Sequence, residues 1–163
     1  MKTPFLSYLP KKRIESVLGG CALLLCLEAT AANFLVTTTL DTGPGSLRQI
    51  MTQANAAPGS HQITFGVTGV ITLVSGLPPV DVNLTVAGPG ITNLTIAGSG
   101  TNTGSVFTFN SNSVSTLSGL TIGSGSSSNN GGGVVNFGNL TISQSLIASN
   151  NAAFNGGGIY NAG

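Results

Sequence analysis

From Phe34 onward the chain is a series of brief apolar bursts, each closed by Gly, Pro, Asn or Ser. Phe34 to Leu40 is rich in β-branched residues and reads as a first strand. Asp41 to Gly45 breaks it with turn residues, and Ser46 offers a helix N-cap with Gln49 three residues on, the spacing of a capping box. Leu47, Ile50, Met51 and Ala54 then fall at i, i+3, i+4 and i+7, one apolar face of a short helix that Pro58-Gly59 stops. That face suits a lid over the open end of a stack of strands.

The bursts that follow are Ile63–Phe65, Val70–Leu73, Leu84–Val86, Leu94–Ile96, Val106–Phe109, Leu117–Ile122, Val134-Val135, Leu140–Ile142, Leu146-Ile147 and Ile159-Tyr160. In many of them Thr sits between two apolar residues. That period of two sends the aliphatics to one face and the hydroxyl to the other. Asn83, Asn93 and Asn139 each open the same Asn-Leu-Thr sequence, which fits a glycosylation acceptor but reads here as the start of a strand. The segment from Asn130 to Gly138 returns, six positions of nine identical, from Asn155 to Gly163, an offset of 25. Repetition at that period signals a solenoid, where one repeat cannot bury its own apolar face and stacks on its neighbours. Bursts this short suit a coil whose brief strands pair with the turns above and below. The chain then reads as all-β, a parallel β-helix closed at its N-terminal end by one small helix.

Composition changes this picture in two ways. Charged residues are 6% of the 163, against about 25% in ordinary proteins, and from Ala32 onward only Asp41, Arg48 and Asp81 carry charge. Nothing in that stretch is an electrostatic footprint for nucleic acid. Disorder is the rival for so polar a chain, but disordered segments lack the β-branched and aromatic residues found here.

The first 31 residues differ from the rest. Lys11, Lys12 and Arg13 precede the apolar run Val17 to Leu27, and Ala29-Thr30-Ala31 has the small-x-small form of a cleavage site. This reads as a signal peptide cut after Ala31, its apolar run being about half the ~20 residues a spanning helix needs. Both cysteines, Cys21 and Cys26, lie inside it, so the mature chain has no disulfide and no transmembrane helix. The expected division is therefore 1–31 leader, 32–62 N-terminal strand and capping helix, and 63–163 β-helix coils.

A resemblance can be named on these residues. Asp41 to Ile50, with Ala54-Asn55, Pro58-Gly59 and Ile63–Phe65, resembles the N-terminal cap of bacterial right-handed parallel β-helix surface proteins. The blocks at Asn130–Val134 and Asn155–Ile159 are similar to the repeats of polymorphic outer-membrane proteins and related autotransporter passengers. The resemblance implies a right-handed, pectin-lyase-like helix, secreted or displayed at the cell surface, and associated with the outer membrane if the cell is Gram-negative. Such proteins carry many more coils and often a C-terminal barrel. Here the last coil stops in mid-turn at Gly163, which reads as a truncated product or a fragment of a longer gene.

Candidate chemistry is thin. Enzymes of the resembled fold cleave acidic polysaccharides with clustered carboxylates, whereas this chain offers only Asp41 and Asp81 beyond the leader, both placed as turn-formers. Arg48 belongs either on the solvated side of the capping helix or in a local pair with Asp41. His61 has no second ligand or acid near it in sequence and is expected in a loop just before a strand. Phe107, Phe109, Phe137, Phe154 and Tyr160 are expected to fill or flank coil interiors, the alternative being platforms for sugar rings. No residue is assigned as catalytic, cofactor-binding or metal-binding, and no cofactor is expected. The expected function is a structural or adhesion module whose Thr, Ser and Asn faces meet a surface glycan or extracellular matrix. The alternative is an N-terminal piece of a polysaccharide lyase or hydrolase whose catalytic residues lie in coils further on.

Overall fold

The computed structural model describes residues 30–100 and 104–163. The leader expected over residues 1–31, with both cysteines, lies almost wholly outside the described residues. The stack opens with strand β1 (Ala32–Val36) and helix α1 (Leu47–Ala56). Strands β2 (Ser60–Phe65) and β3 (Gly69–Leu73) make the next coil, and β4 (Asn83–Ala87), β5 (Leu94–Gly98) and β6 (Phe107–Phe109) the one after. Two fuller coils follow. One holds β7 (Val114–Ser118), β8 (Thr121–Gly123), β9 (Ser126–Ser127) and β10 (Val134–Asn136). The other holds β11 (Asn139–Ser143), β12 (Leu146–Ala148), β13 (Asn151–Ala152) and β14 (Ile159–Asn161).

Each strand pairs with its counterparts in neighbouring coils and not with its neighbour in sequence. The first sheet runs β1-β2-β4-β7-β11, the second β3-β5-β8-β12 and the third β6-β10-β14, with β9 against β13 in a short fourth ladder. All these ladders are parallel. The architecture is the parallel β-helix that the short bursts imply. Coil length settles as the stack grows: bonded neighbours are 29 residues apart at the start, then 23 and 31, and 25 in the last two coils. The echo between Asn130 and Asn155 is therefore one physical turn.

Period-two patterning becomes columns. Phe34, Ile63, Val86, Leu117 and Ile142 occupy one register position of the first sheet. Ile71, Ile96, Ile122 and Ile147 occupy one of the second. The central members of both columns are fully buried, each stabilising by roughly 1.5–3 kcal/mol. In the third sheet Phe107 and Phe109 are buried side by side, rings stacked with centroids 6.1 Å apart.

Helix α1 is the lid. Leu47, Ile50, Met51 and Ala54 are all buried, as their spacing requires. Ser46 Oγ accepts from Gln49 N at 3.3 Å, while Gln49 Oε1 accepts from Gly45 N at 2.8 Å, so the box closes one residue ahead of the N-cap. Arg48 fastens this lid to the second coil: Nε and Nη2 donate to Asp41 Oδ1 at 3.1 and 2.7 Å, and Nη1 and Nη2 donate to the carbonyls of Gly76 and Ser75 at 2.7 and 2.6 Å. Asn55, the penultimate helix residue, donates to Pro79 O and accepts from Asp81 N.

Two local expectations are corrected, and two strands lie outside the apolar bursts. The first strand ends at Val36, not Leu40, because Thr37 N turns to bond Gly45 O and leaves Leu40 exposed. The burst Leu117–Ile122 is two strands, β7 and β8, bent apart at Gly119, whose φ of +65° suits glycine. β9 and β13, built of Ser, Asn and Ala, carry no apolar signal and were not foreseen.

Candidate functional site

Among the described residues, Asp41, Arg48 and His61 all lie at the capping end. Asp41 is committed to Arg48, and its Oδ2 also accepts from Val74 N at 3.5 Å. Asp81 accepts from Asn110 Nδ2. The two carboxylates thus have separate partners, each tying a loop to the next coil. Of the alternatives open for Arg48, the local pair with Asp41 is the one found. His61 is not in a loop: it lies inside β2, buried, on the same face as Ile63. Its Nδ1 accepts from Ala32 N at 3.3 Å, so Nε2 carries the proton and donates to Ala57 O at 3.0 Å. The ring meets Phe34 edge to face at 5.7 Å. One imidazole thus ties together the first strand, the end of the helix and the base of the core. Among the described residues no group of three or more His, Cys, Asp or Glu could hold a metal ion. No helix among them is long and apolar enough to cross a membrane.

Among the described residues, the outward face of the first sheet is uncharged. On the first sheet, one outward column runs Gln62, Thr85, Thr116, Thr141 and the next Thr64, Ala87, Ser118, Ser143. Alternation along each strand forces this: the residues between the buried aliphatics face water. The hydroxyls line up because successive coils keep their register. Thr64 and Ser118 also hydrogen-bond carbonyls of the preceding coil, Phe34 O at 3.4 Å and Val86 O at 3.5 Å. The three Asn-Leu-Thr segments are strand starts, as read. Asn83 Oδ1 accepts from Val114 N at 2.9 Å one coil on, and Asn93 Nδ2 donates to Pro89 O at 2.9 Å.

The third sheet bears a groove of about 280 Å³. Its apolar lining is Val135, Phe137 and Tyr160, the last two with rings edge to face at 6.4 Å and 73°. Ser105 and the turn from Ser127 to Asn130 supply its polar lining. Val135 and Tyr160 meet here because β10 and β14 pair in register, Val135 opposite Tyr160 and Thr108 opposite Val135. The glycine block shapes the turn. Gly131 has a φ of +62°, and so does Gly156 one coil on. A Cβ on Gly131 would strike Val134 O at 2.6 Å, and one on Gly133 would strike Gly158 O at 2.6 Å. Chain crossings this close admit only glycine.

The aromatic expectation divides accordingly. Phe107 and Phe109 fill the coil interior, but Phe137 is 42% exposed, Phe154 is 72% exposed and Tyr160 is half-buried. The reason is register: Tyr160 shares the outward column of Thr108 and Val135, while Phe137 and Phe154 sit past the ends of β10 and β13. No family model, no curated protein and no solved structure matches the chain.

Proposed function

We propose that this chain is an exported β-helix of the right-handed, pectin-lyase-like kind, serving as a structural and adhesion module at the cell exterior. The observation that carries this reading is the outward face of the first sheet, where Thr85, Thr116 and Thr141 stack in one column beside Ser118 and Ser143. A rigid, uncharged ladder of hydroxyls matches a partner that is itself rich in hydroxyls and amides, a surface glycan or extracellular matrix. Its affinity comes from many weak hydrogen bonds, each a net ~0.5–1.5 kcal/mol. Attachment to a cell envelope of polymorphic outer-membrane type is part of the same reading and rests on the glycine-block resemblance.

A catalytic role draws no support from the arrangement, since the carboxylates of Asp41 and Asp81 already hold the cap and a loop. Retention of the chain on immobilised glycans and matrix proteins, measured at rising salt, tests the proposal. Binding is expected, with less than about a twofold loss between roughly 0.05 and 0.5 M NaCl, because screening acts on charges this surface lacks. Absence of retention on every surface, or a collapse of binding in salt, would contradict it.

A further inference from the structure

We propose that the groove between the Phe137–Tyr160 rings and the turn from Ser127 to Asn130 is a saccharide subsite that takes one uncharged pyranose ring. This rests on the reading that the outer surface engages glycans, and it says where a single sugar sits.

The groove's lining mixes aromatic and polar residues, and a sugar ring is mixed in the same way. One side of a pyranose presents C–H groups, which pack on aromatic rings, and its rim presents hydroxyls, which need donors and acceptors. Here Val135, Phe137 and Tyr160 supply the apolar surface. The polar part of the lining is pre-set. Ser127 Oγ donates to Asn130 O at 3.1 Å, Asn129 N donates to Ser127 Oγ at 3.1 Å, and Asn130 Oδ1 accepts from both Asn155 N and Nδ2, at 3.0 and 3.1 Å. Those bonds fix the turn while leaving the Ser128 hydroxyl, the Asn129 amide and the Tyr160 phenol without a hydrogen-bond partner among the described residues.

Charge and size narrow the occupant. Among the described residues, none that lines the groove is Lys, Arg, His, Asp or Glu, so a uronate, a sulfated sugar or a phosphate finds no counter-charge, whereas a neutral ring needs none. A volume of about 280 Å³ falls just below the ~300–1,000 Å³ of drug-sized ligand pockets, and so suits one ring. The walls come from three successive coils, those of β6, β10 and β14, so the site exists only when the stack is in register.

The experiment uses the full chain carrying Tyr8→Phe, which leaves Tyr160 as its one tyrosine in a protein without tryptophan. Neutral oligosaccharides built on glucose, galactose and N-acetylhexosamine, and a uronate polymer, are titrated while the Tyr160 ring resonances are followed by NMR. At least one neutral sugar is expected to shift those resonances saturably. Phe137→Ala should weaken it about tenfold, the scale of one lost ring-stacking contact. Phe137→Tyr should retain binding, and Phe154→Ala, exposed but outside the groove, should leave it unchanged. Ser128→Glu provides a second test on an exposed turn residue, with a similar loss expected even if Phe137→Ala does not fold. Sugar binding that leaves Tyr160 unmoved and survives both variants overturns the groove but not the adhesion reading. So does retention on matrix protein alone. A response only to the uronate also overturns it. Failure to bind any sugar or matrix overturns both.

Discussion

Ser115 is the one buried side chain without a hydrogen-bond partner among the described residues, and it lies inside an otherwise coherent column. It is 4% exposed, between Leu84 and Leu140. An unmet buried hydroxyl costs about 1–3 kcal/mol. Ser115→Ala should therefore stabilise the fold by about 1 kcal/mol, seen as a higher urea midpoint at unchanged slope. Gly131→Ala should do the reverse. It forces a side chain into left-handed backbone, a cost of about 1–2 kcal/mol before the clash with Val134 O is added. The same denaturation curves measure it, and a neutral result would mean the glycine block is not packed as described. Single residues were the least legible level in the sequence. His61 reads as a loop residue because the apolar burst begins only at Ile63. Period two alone, continued two residues backwards, would have placed it on the buried face.

At the scale of elements, helix α1 was readable almost to the residue, because capping and spacing are local signals. Its attachment was not, since Arg48 reaches carbonyls nearly thirty positions away. Arg48→Ala should undock the lid at a cost of about 2–4 kcal/mol, having lost the ion pair with Asp41 and two charge-assisted bonds to carbonyls. Hydrogen exchange would show it as faster exchange confined to α1 and β1; uniform change over all coils would contradict a separable cap. In the stack, strand positions followed the apolar bursts wherever aliphatics alternate. They failed at β9 and β13, where Ser and Asn form strands only because the neighbouring coil is already in place. Ile96→Ala, in the middle of the isoleucine column, is expected to cost about 2–5 kcal/mol by leaving a hole the stacked neighbours cannot close. Calorimetry or urea unfolding checks it.

For the whole molecule, the 25-residue echo carried the architecture, because identical residues one turn apart meet physically: Asn136 Nδ2 donates to Asn161 Oδ1 at 2.7 Å, and Asn155 to Asn130. The groove stayed hidden in the sequence for the complementary reason. Val135 and Tyr160 become neighbours only through register, and sequence shows an aromatic without showing which way a short strand turns it. Stack, hydroxyl ladder and groove all depend on coils pairing in parallel, rung over rung. Amide-to-amide NOEs in the deuterated protein test that dependence most directly. Contacts should link the strand around Thr116 to those around Thr85 on one side and Thr141 on the other, with parallel-ladder spacing. Contacts pairing β7 antiparallel with β8, or no long-range contacts from Thr116 at all, would contradict the β-helix and every functional inference built on it.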